Sequence, residues 1–392
     1  MKPNQQIQAI KPSATMAITA KAKQLQSEGV DVVGFGAGEP DFDTPAHIKQ
    51  AAIDAINKGQ TKYTPGNGTL PLRKAVAERF RADYGLNYSA EQVIVSNGAK
   101  QSLYNLLRTV IEPGDEVIVI GPYWVSYPDM IQLSGGRAVI VDTSWEAGFR
   151  PTRAAIEAAL TPRTRGLIIN SPSNPTGAGY DRATLAMLAE IVLGRNLWAI
   201  SDEIYDKLVY DGFKHIPFVS LDERLYSCTA TVNGLSKAYA MTGWRIGYAA
   251  GPDAWIKACA KLQDQSTSNA SSISQAAALA ALTGDQSVVE TMRRAFEARR
   301  TLIVDLLNAI DGVECPTPQG AFYAFPRLTK VLGPYGDDGA WAADLLEKEK
   351  VALVPGGPFG APGHVRLSYA TSETEIRRGV ERIASFIGRY CR

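Results

Sequence analysis

The run Asn233-Gly234-Leu235-Ser236-Lys237-Ala238-Tyr239-Ala240-Met241-Thr242-Gly243-Trp244-Arg245-Ile246-Gly247 places a lysine after an apolar strand and an arginine eight positions later. Taken alone, a lysine in that position is most often a solvated surface residue. The small and aromatic residues around Lys237 argue instead for a pocket, where an amine sheds its proton more readily and can form a Schiff base with an aldehyde. Arg245 adds a planar fork suited to a phosphate. In Ala199-Ile200-Ser201-Asp202-Glu203-Ile204-Tyr205 an apolar strand ends in acidic residues. That end of the sheet is where α/β folds bind ligands. Asp202 can cap a following helix there, or it can stabilise a buried cation such as a protonated pyridine nitrogen.

Two further segments belong with these. Asn170-Ser171-Pro172-Ser173-Asn174-Pro175-Thr176-Gly177 is a stiff turn that presents Asn174 between two prolines. Ser96-Asn97-Gly98-Ala99-Lys100-Gln101 joins a strand to a helix, and small residues at a helix start leave N–H groups free to cradle a phosphate. Many helices begin this way without any ligand, so the segment is informative only in company.

The elements that must position these residues follow from hydrophobic patterning. Between residues 46 and 285, short apolar runs at 93–95, 116–120, 138–141, 167–170, 198–201, 229–233 and 246–250 alternate with helical patterns at 46–58, 70–84, 101–111 and 182–193. Continuous apolar runs are expected where helices cover both faces of a sheet. Each helical pattern stops at a glycine or proline. The reading is an α/β fold with a mainly parallel seven-stranded sheet. After about 285 the texture changes to a long charged helix (286–309), strands at 321–325, 352–354 and 365–369, and helices at 340–350 and 373–387. Another helix is expected at 15–28. The expected division is therefore an N-terminal segment (1–45) that joins a smaller α+β domain, a large domain (46–285) and the rest of the small domain (286–392).

Composition narrows the function classes. The chain has 392 residues, with 41 Lys and Arg against 40 Asp and Glu, a balance that argues against nucleic-acid binding. No stretch approaches the roughly 20 apolar residues that span a bilayer. The first residues lack the apolar region of a secretory signal. The four cysteines are scattered, which fits neither a disulfide framework nor a zinc ribbon and suggests a reduced, cytoplasmic setting. Three widely spaced histidines make a histidine-rich metal site unexpected. The run Gly34-Phe35-Gly36-Ala37-Gly38-Glu39 fails the GxGxxG pattern at its last position, and no GxxxxGK[ST] loop is present. The chemistry is expected to come from a cofactor that is not a nucleotide.

Together the segments resemble the class I aminotransferases of the fold-type I pyridoxal-phosphate enzymes. Seven motifs carry the resemblance in the family's order: Gly38-Glu39-Pro40-Asp41-Phe42, Tyr63-Thr64-Pro65, Asn97-Gly98-Ala99-Lys100, Pro122-Tyr123-Trp124, Asn174-Pro175-Thr176-Gly177, Asp202-Glu203-Ile204-Tyr205 and Ser236-Lys237. The resemblance implies that Lys237 binds pyridoxal 5'-phosphate as a Schiff base and shuttles the substrate proton. It implies that Asp202 pairs with the pyridinium nitrogen, and that Asn174 and Tyr205 hydrogen-bond the phenolic oxygen. Trp124 would stack on the ring. Ser236, Arg245 and the helix start at Gly98, Ala99 and Lys100 would hold the phosphate, with Tyr63 reaching the phosphate of a neighbouring subunit in a homodimer. Arg366, with Gly38 and Asn174, would grip the substrate α-carboxylate. The pairing of Lys11-Pro12-Ser13-Ala14-Thr15 with Lys100 is similar to a bacterial subgroup that acts on dicarboxylic amino acids and often on prephenate. It implies ping-pong transfer of the amino group of aspartate, and of glutamate or arogenate, to 2-oxo acids such as 2-oxoglutarate, oxaloacetate or prephenate. Alternatives on the same fold are aspartate–glyoxylate, alanine or aromatic aminotransferases and, more distantly, a β-lyase.

Overall fold

The computed structural model describes residues 1–10, 12 and 14–391. Its largest sheet has seven strands: β1 (Val93–Ser96), β2 (Glu116–Ile120), β3 (Arg137–Val141), β4 (Thr164–Asn170), β5 (Trp198–Asp202), β6 (Thr229–Gly234) and β7 (Gly247–Ala250). They lie in the order β1-β7-β6-β5-β4-β2-β3. Strand β7 runs antiparallel to both β1 and β6, while the other neighbours are parallel.

The unbroken apolar runs are explained by burial on both sides. Val117 and Val119 face a core with Leu103, Leu106, Met130 and Trp255. Ile118 and Ile120, one residue out of phase, face Leu185, Leu188 and Ile191. This period of two is the pleat of a strand clad by helices on both faces. Helix Leu70–Tyr84 starts with a proline in its first turn and ends at Gly85, whose φ of 71° is left-handed.

Strand order locates a crevice before any side chain is considered. From β2 the chain passes through helix Ser126–Leu133 to β3, on one side; from β4 it passes through helix Arg182–Gly194 to β5, on the other. The two helices pack on opposite faces, Met130 and Ile131 in one core and Leu185 and Leu188 in the other. The connections diverge at the carboxyl ends of β2 and β4, the place where open α/β sheets bind ligands. Trp124 follows β2 there, and Asn174 follows β4.

A second core is built from both ends of the chain. Val33–Gly34 pairs with Val351–Ala352, and Val354–Pro355, Val365–Ser368 and Tyr323–Ala324 form an antiparallel sheet. Phe35, Phe296, Trp341, Leu367 and Phe386 meet beneath the helices Ser287–Asn308, Asp338–Glu349 and Glu373–Tyr390. Tyr205, Leu208 and Tyr210, which follow β5, pack into this same core. The strand expected at 352–354 is two short pairings either side of Leu353, and 321–325 pairs only at Tyr323–Ala324. Among the described residues five helices escaped the patterning, Gln5–Ala9, Ser126–Leu133, Arg153–Ala159, Asp253–Ser266 and Ser272–Thr283. Pro128 masks Ser126–Leu133 by sitting inside its first turn, where a missing N–H is tolerated. Alanine and small polar residues give the last no strong stripe. Among the described residues no helix is long and apolar enough to cross a membrane.

Candidate active site

The loop between β6 and β7 carries Ser236, Lys237 and Arg245. Strand β7 starts against the beginning of helix Ala99–Val110, so closely that a Cβ on Gly247 would lie 2.0 Å from the Ala99 nitrogen. This approach sets Arg245 beside Gly98, where an added Cβ would lie 2.2 Å from the guanidinium. Gly98 has a φ of 86° and offers no side chain to cap the helix. The result is an uncapped helix start next to a cation, a cradle for an oxyanion. Arg245 is held by Nη1 donating to the Thr242 carbonyl at 2.8 Å. Ser236 is buried beside Lys237.

Asp202 ends β5 and is buried. No helix follows it, so the capping alternative falls: the next residues form turns. Its Oδ2 accepts a 2.6 Å hydrogen bond from Tyr127, and its Oδ1 accepts from the Ile204 amide at 3.4 Å. Burial pushes the carboxyl up to about 6, against the pull of the Tyr127 and Ile204 hydrogen bonds. Burial, with the neighbouring carboxylate, drives the Tyr127 hydroxyl far above its ordinary value, so it remains a donor. Asn170, the register partner of Asp202, donates to the Asp202 carbonyl at 3.0 Å and accepts from the Asn174 amide at 2.9 Å. One side chain therefore fixes both loops.

The Lys237 amine donates to the Gly38 carbonyl and lies 5.7 Å from the Phe322 ring centre. Burial first, then the Arg366 charge, lowers it to about 8. Arg366 is 1% exposed. It donates from Nη1 to Asn174 Oδ1 and from Nη2 to the Gly36 carbonyl, each at 2.9 Å. Its guanidinium lies 4.5 Å from the Tyr323 ring centre and 5.2 Å from that of Phe359. Its Nε is buried without a hydrogen-bond partner, and among the described residues it forms no ion pair. A cation removed from water without a counter-charge is costly unless a ligand supplies one.

Tyr205 and Tyr323 share a 2.9 Å hydroxyl–hydroxyl bond. Trp124 packs edge-on to Tyr127, and the Lys100 ammonium, on an exposed side chain, sits 4.8 Å from the Trp124 ring centre. Hydrogen bonds and ring contacts thus link Gly38, Lys100, Trp124, Asn174, Asp202, Tyr205, Lys237 and Arg366, while Gly98, Ala99 and Arg245 meet at the helix start. Tyr63 is 90% exposed and stands apart. Thr15 lies on helix Ala14–Ser27, with its carbonyl accepting from Thr19. Lys11 and Ser13 lie outside the described residues. Patterning missed Tyr127, Asn170 and Tyr323. Only the i, i+3 spacing from Trp124 to Tyr127, across the turn that opens helix Ser126–Leu133, could have flagged the first.

The family described as aminotransferase class I and II matches residues 30–383. An aspartate/prephenate aminotransferase of Cereibacter sphaeroides is 50% identical over 385 residues, 96% of each chain. An aspartate aminotransferase of Geobacillus stearothermophilus is 49% identical over 389 residues, 99% of each chain. The solved aspartate aminotransferase of Rhizobium meliloti superposes with a TM-score of 0.95 at 47% identity, covering 99% of both chains. That of Thermus thermophilus with maleate gives 0.94 at 47% identity, covering 98% of this chain and 99% of that one.

Proposed function

Because the chain belongs to the class I and II aminotransferases, we propose that it transfers the amino group of L-aspartate to 2-oxo acids, using pyridoxal 5'-phosphate. The residues present fit that cofactor: a near-neutral buried amine, a buried carboxylate opposite it in the crevice, and an uncapped helix start beside an arginine. Gly98, Ala99, Lys100, Ser236 and Arg245 would hold its phosphate, Asp202 its pyridine nitrogen, and Asn174 and Tyr205 its phenolic oxygen. Trp124 would cover the ring, and Lys237 would attach to the aldehyde carbon. When bound, the cofactor supplies an electron-withdrawing ring that takes up the electron pair left on the substrate Cα.

The protein's own groups do the rest. At pH 7 Asp202, with a value near 6, is mostly anionic and would hold a proton on the cofactor's ring nitrogen. The Lys237 amine, brought down to about 8, would move a proton between the substrate Cα and the cofactor's aldehyde carbon, the two atoms that flank the shared nitrogen. Arg366 grips the α-carboxylate through its planar fork, with Asn174 and the Gly38 backbone completing the contact. Returning the amino group to a second oxo acid closes a ping-pong cycle.

Dicarboxylic substrates are favoured by Lys100, whose ammonium stands at the mouth of the crevice over Trp124. Lys11, Ser13 and Thr15 are assigned to the same distal carboxylate. Two observations among the relatives support the assignment: the names of those most similar, and the C4 dicarboxylate maleate in the Thermus thermophilus structure. Glutamate, arogenate and prephenate are further substrates by the same reasoning. A homodimer with shared sites is supported by exposed Tyr63, Ile53, Ile56 and Leu70. A cytoplasmic setting agrees with the free cysteines.

The observation that carries the reading is Arg366, a buried cation with no carboxylate partner among the described residues, in the same cluster as the lysine amine. The test is to reconstitute the protein with pyridoxal phosphate, record the visible band, reduce with borohydride and map the adduct. Activity is then compared for aspartate, glutamate, alanine and phenylalanine against several oxo acids. The reading expects a pyridoxyl adduct on Lys237 and the highest kcat/KM for acidic donors. A colourless protein, or a preference for alanine or phenylalanine, overturns it.

A further inference from the structure

We infer that Tyr323 is a positioning residue serving both ends of the site, its hydroxyl orienting Tyr205 and its ring face supporting Arg366. The inference rests on the cofactor and substrate roles proposed above. Three contacts of one buried side chain carry it. Its hydroxyl lies 2.9 Å from that of Tyr205. Its ring centre is 4.5 Å from the Arg366 guanidinium. Its oxygen is so close to Gly38, whose carbonyl receives the Lys237 amine, that a Cβ there would stand 3.1 Å away.

The direction of the hydroxyl pair follows from proton counting. Tyr205 has one hydrogen, and it is committed to the phenolic oxygen of the cofactor. The hydrogen between the two tyrosines must then come from Tyr323. A phenol that accepts a hydrogen bond becomes a better donor, so Tyr323 strengthens the grip of Tyr205. Arg366 and Asp202 are the charged groups facing Tyr205. At the other end, the ring's negative face offsets part of the cost of holding Arg366 without a counter-ion.

The backbone around Tyr323 is held as a positioning role requires. Ala321 has a left-handed φ of 61°, costly for a residue with a Cβ. It is fixed by its amide donating to the Leu208 carbonyl at 2.9 Å, and by the hydroxyls of Tyr210 and Tyr369 donating to its carbonyl. The Gly320 amide donates to the Gly177 carbonyl at 2.9 Å. The residues before Tyr323 are therefore bonded to the segment that carries Tyr205 and to the one that carries Asn174.

The two halves of the side chain can be removed separately in the cofactor-loaded enzyme. Tyr323→Phe keeps the ring, whereas Tyr323→Met, an unbranched replacement that fills space, removes both ring and hydroxyl; Tyr323→Leu serves where the methionine variant is unstable. In both, the pH midpoint of the cofactor's visible band should rise by about 0.5–1 unit, the equivalent of one lost hydrogen bond. Maleate affinity should stay within about twofold in Tyr323→Phe and weaken about fivefold or more in Tyr323→Met. The Tyr205→Phe/Tyr323→Phe double variant should have a kcat within about twofold of Tyr205→Phe alone, because one hydroxyl acts through the other. A midpoint unmoved in Tyr323→Phe, or multiplicative losses in the double variant, overturns the hydroxyl role. Equal maleate affinity in the phenylalanine and methionine variants overturns the ring role. An unmodified protein that shows no visible band refutes the functional reading instead, before any variant is made.

Discussion

Replacing Arg366 by lysine preserves the charge and removes the fork, which makes it the sharpest probe of substrate recognition. The guanidinium is fixed by two 2.9 Å hydrogen bonds, to Asn174 and to the Gly36 carbonyl, and by two aromatic rings, so its remaining donors have one orientation. A substrate carboxylate meeting that fork gains two charge-assisted hydrogen bonds, each worth about 1.5–3 kcal/mol. A lysine ammonium is a point charge and matches the carboxylate through one contact at most. Losing one bond weakens binding by about 1.5–3 kcal/mol, or roughly 10- to 150-fold. The assay is the maleate dissociation constant of the cofactor-loaded Arg366→Lys variant, together with KM for aspartate and for 2-oxoglutarate. All three should rise, because amino acid and oxo acid share the α-carboxylate. Cofactor content should not change. A variant that keeps its cofactor, yet binds maleate within about threefold of the parent, refutes the assignment of Arg366.

Lys237 gives a test without turnover. Its folded value near 8 lies below the ordinary lysine range, so below pH 8 the fold buries a charged amine. Stability rises only from about pH 8 to 10.5, where the folded state has lost a proton that the unfolded chain keeps. Lys237→Met should therefore raise the melting temperature of the cofactor-free protein at pH 7 by about 2–5 °C, and the gain should shrink at pH 10. An equal gain at both pH values means the buried charge is not the cause. Gly98→Ala would drive a Cβ into Arg245 at a left-handed φ; cofactor dissociation should rise about tenfold or more, with kcat at saturating cofactor little changed. Unaltered cofactor affinity would place the phosphate elsewhere. Lys100→Ala should lower kcat/KM for aspartate about 2- to 5-fold while sparing alanine, the loss of a single partly solvated charge pair. An equal fall for both donors would mean that Lys100 serves the phosphate alone.

The sheet was legible because its strands are buried on both faces and therefore read as unbroken apolar runs, from Glu116–Ile120 to Thr229–Gly234. Lys237, Asp202 and Asn174 stood out for a related reason: each sits where such a run gives way abruptly to polar or rigid residues. The unread features depend on contacts between segments far apart in the chain. Asn170 looks like the last residue of a strand until its neighbour is known to be Asp202, 32 positions later. Tyr127 looks like core, and its hydrogen-bonding partner is 75 positions away. Tyr323 lies in an apolar run whose pairing with Val365–Ser368 alone sets it against Arg366. The antiparallel insertion of β7 was equally hidden, since apolar patterning carries no information on strand direction.

That reversed strand has a practical outcome. Lys237 and Arg245 lie on a single excursion between β6 and β7, anchored at both feet by strands buried along their whole length. Arg366 hangs from a different sheet altogether. If Arg366 holds the amino acid as proposed, a swivel of that second sheet would loosen the hold without stretching the distance from amine to anion cradle. On the reading proposed above, such wiring would let passengers come and go while the vitamin-derived tool stays bolted to the bench.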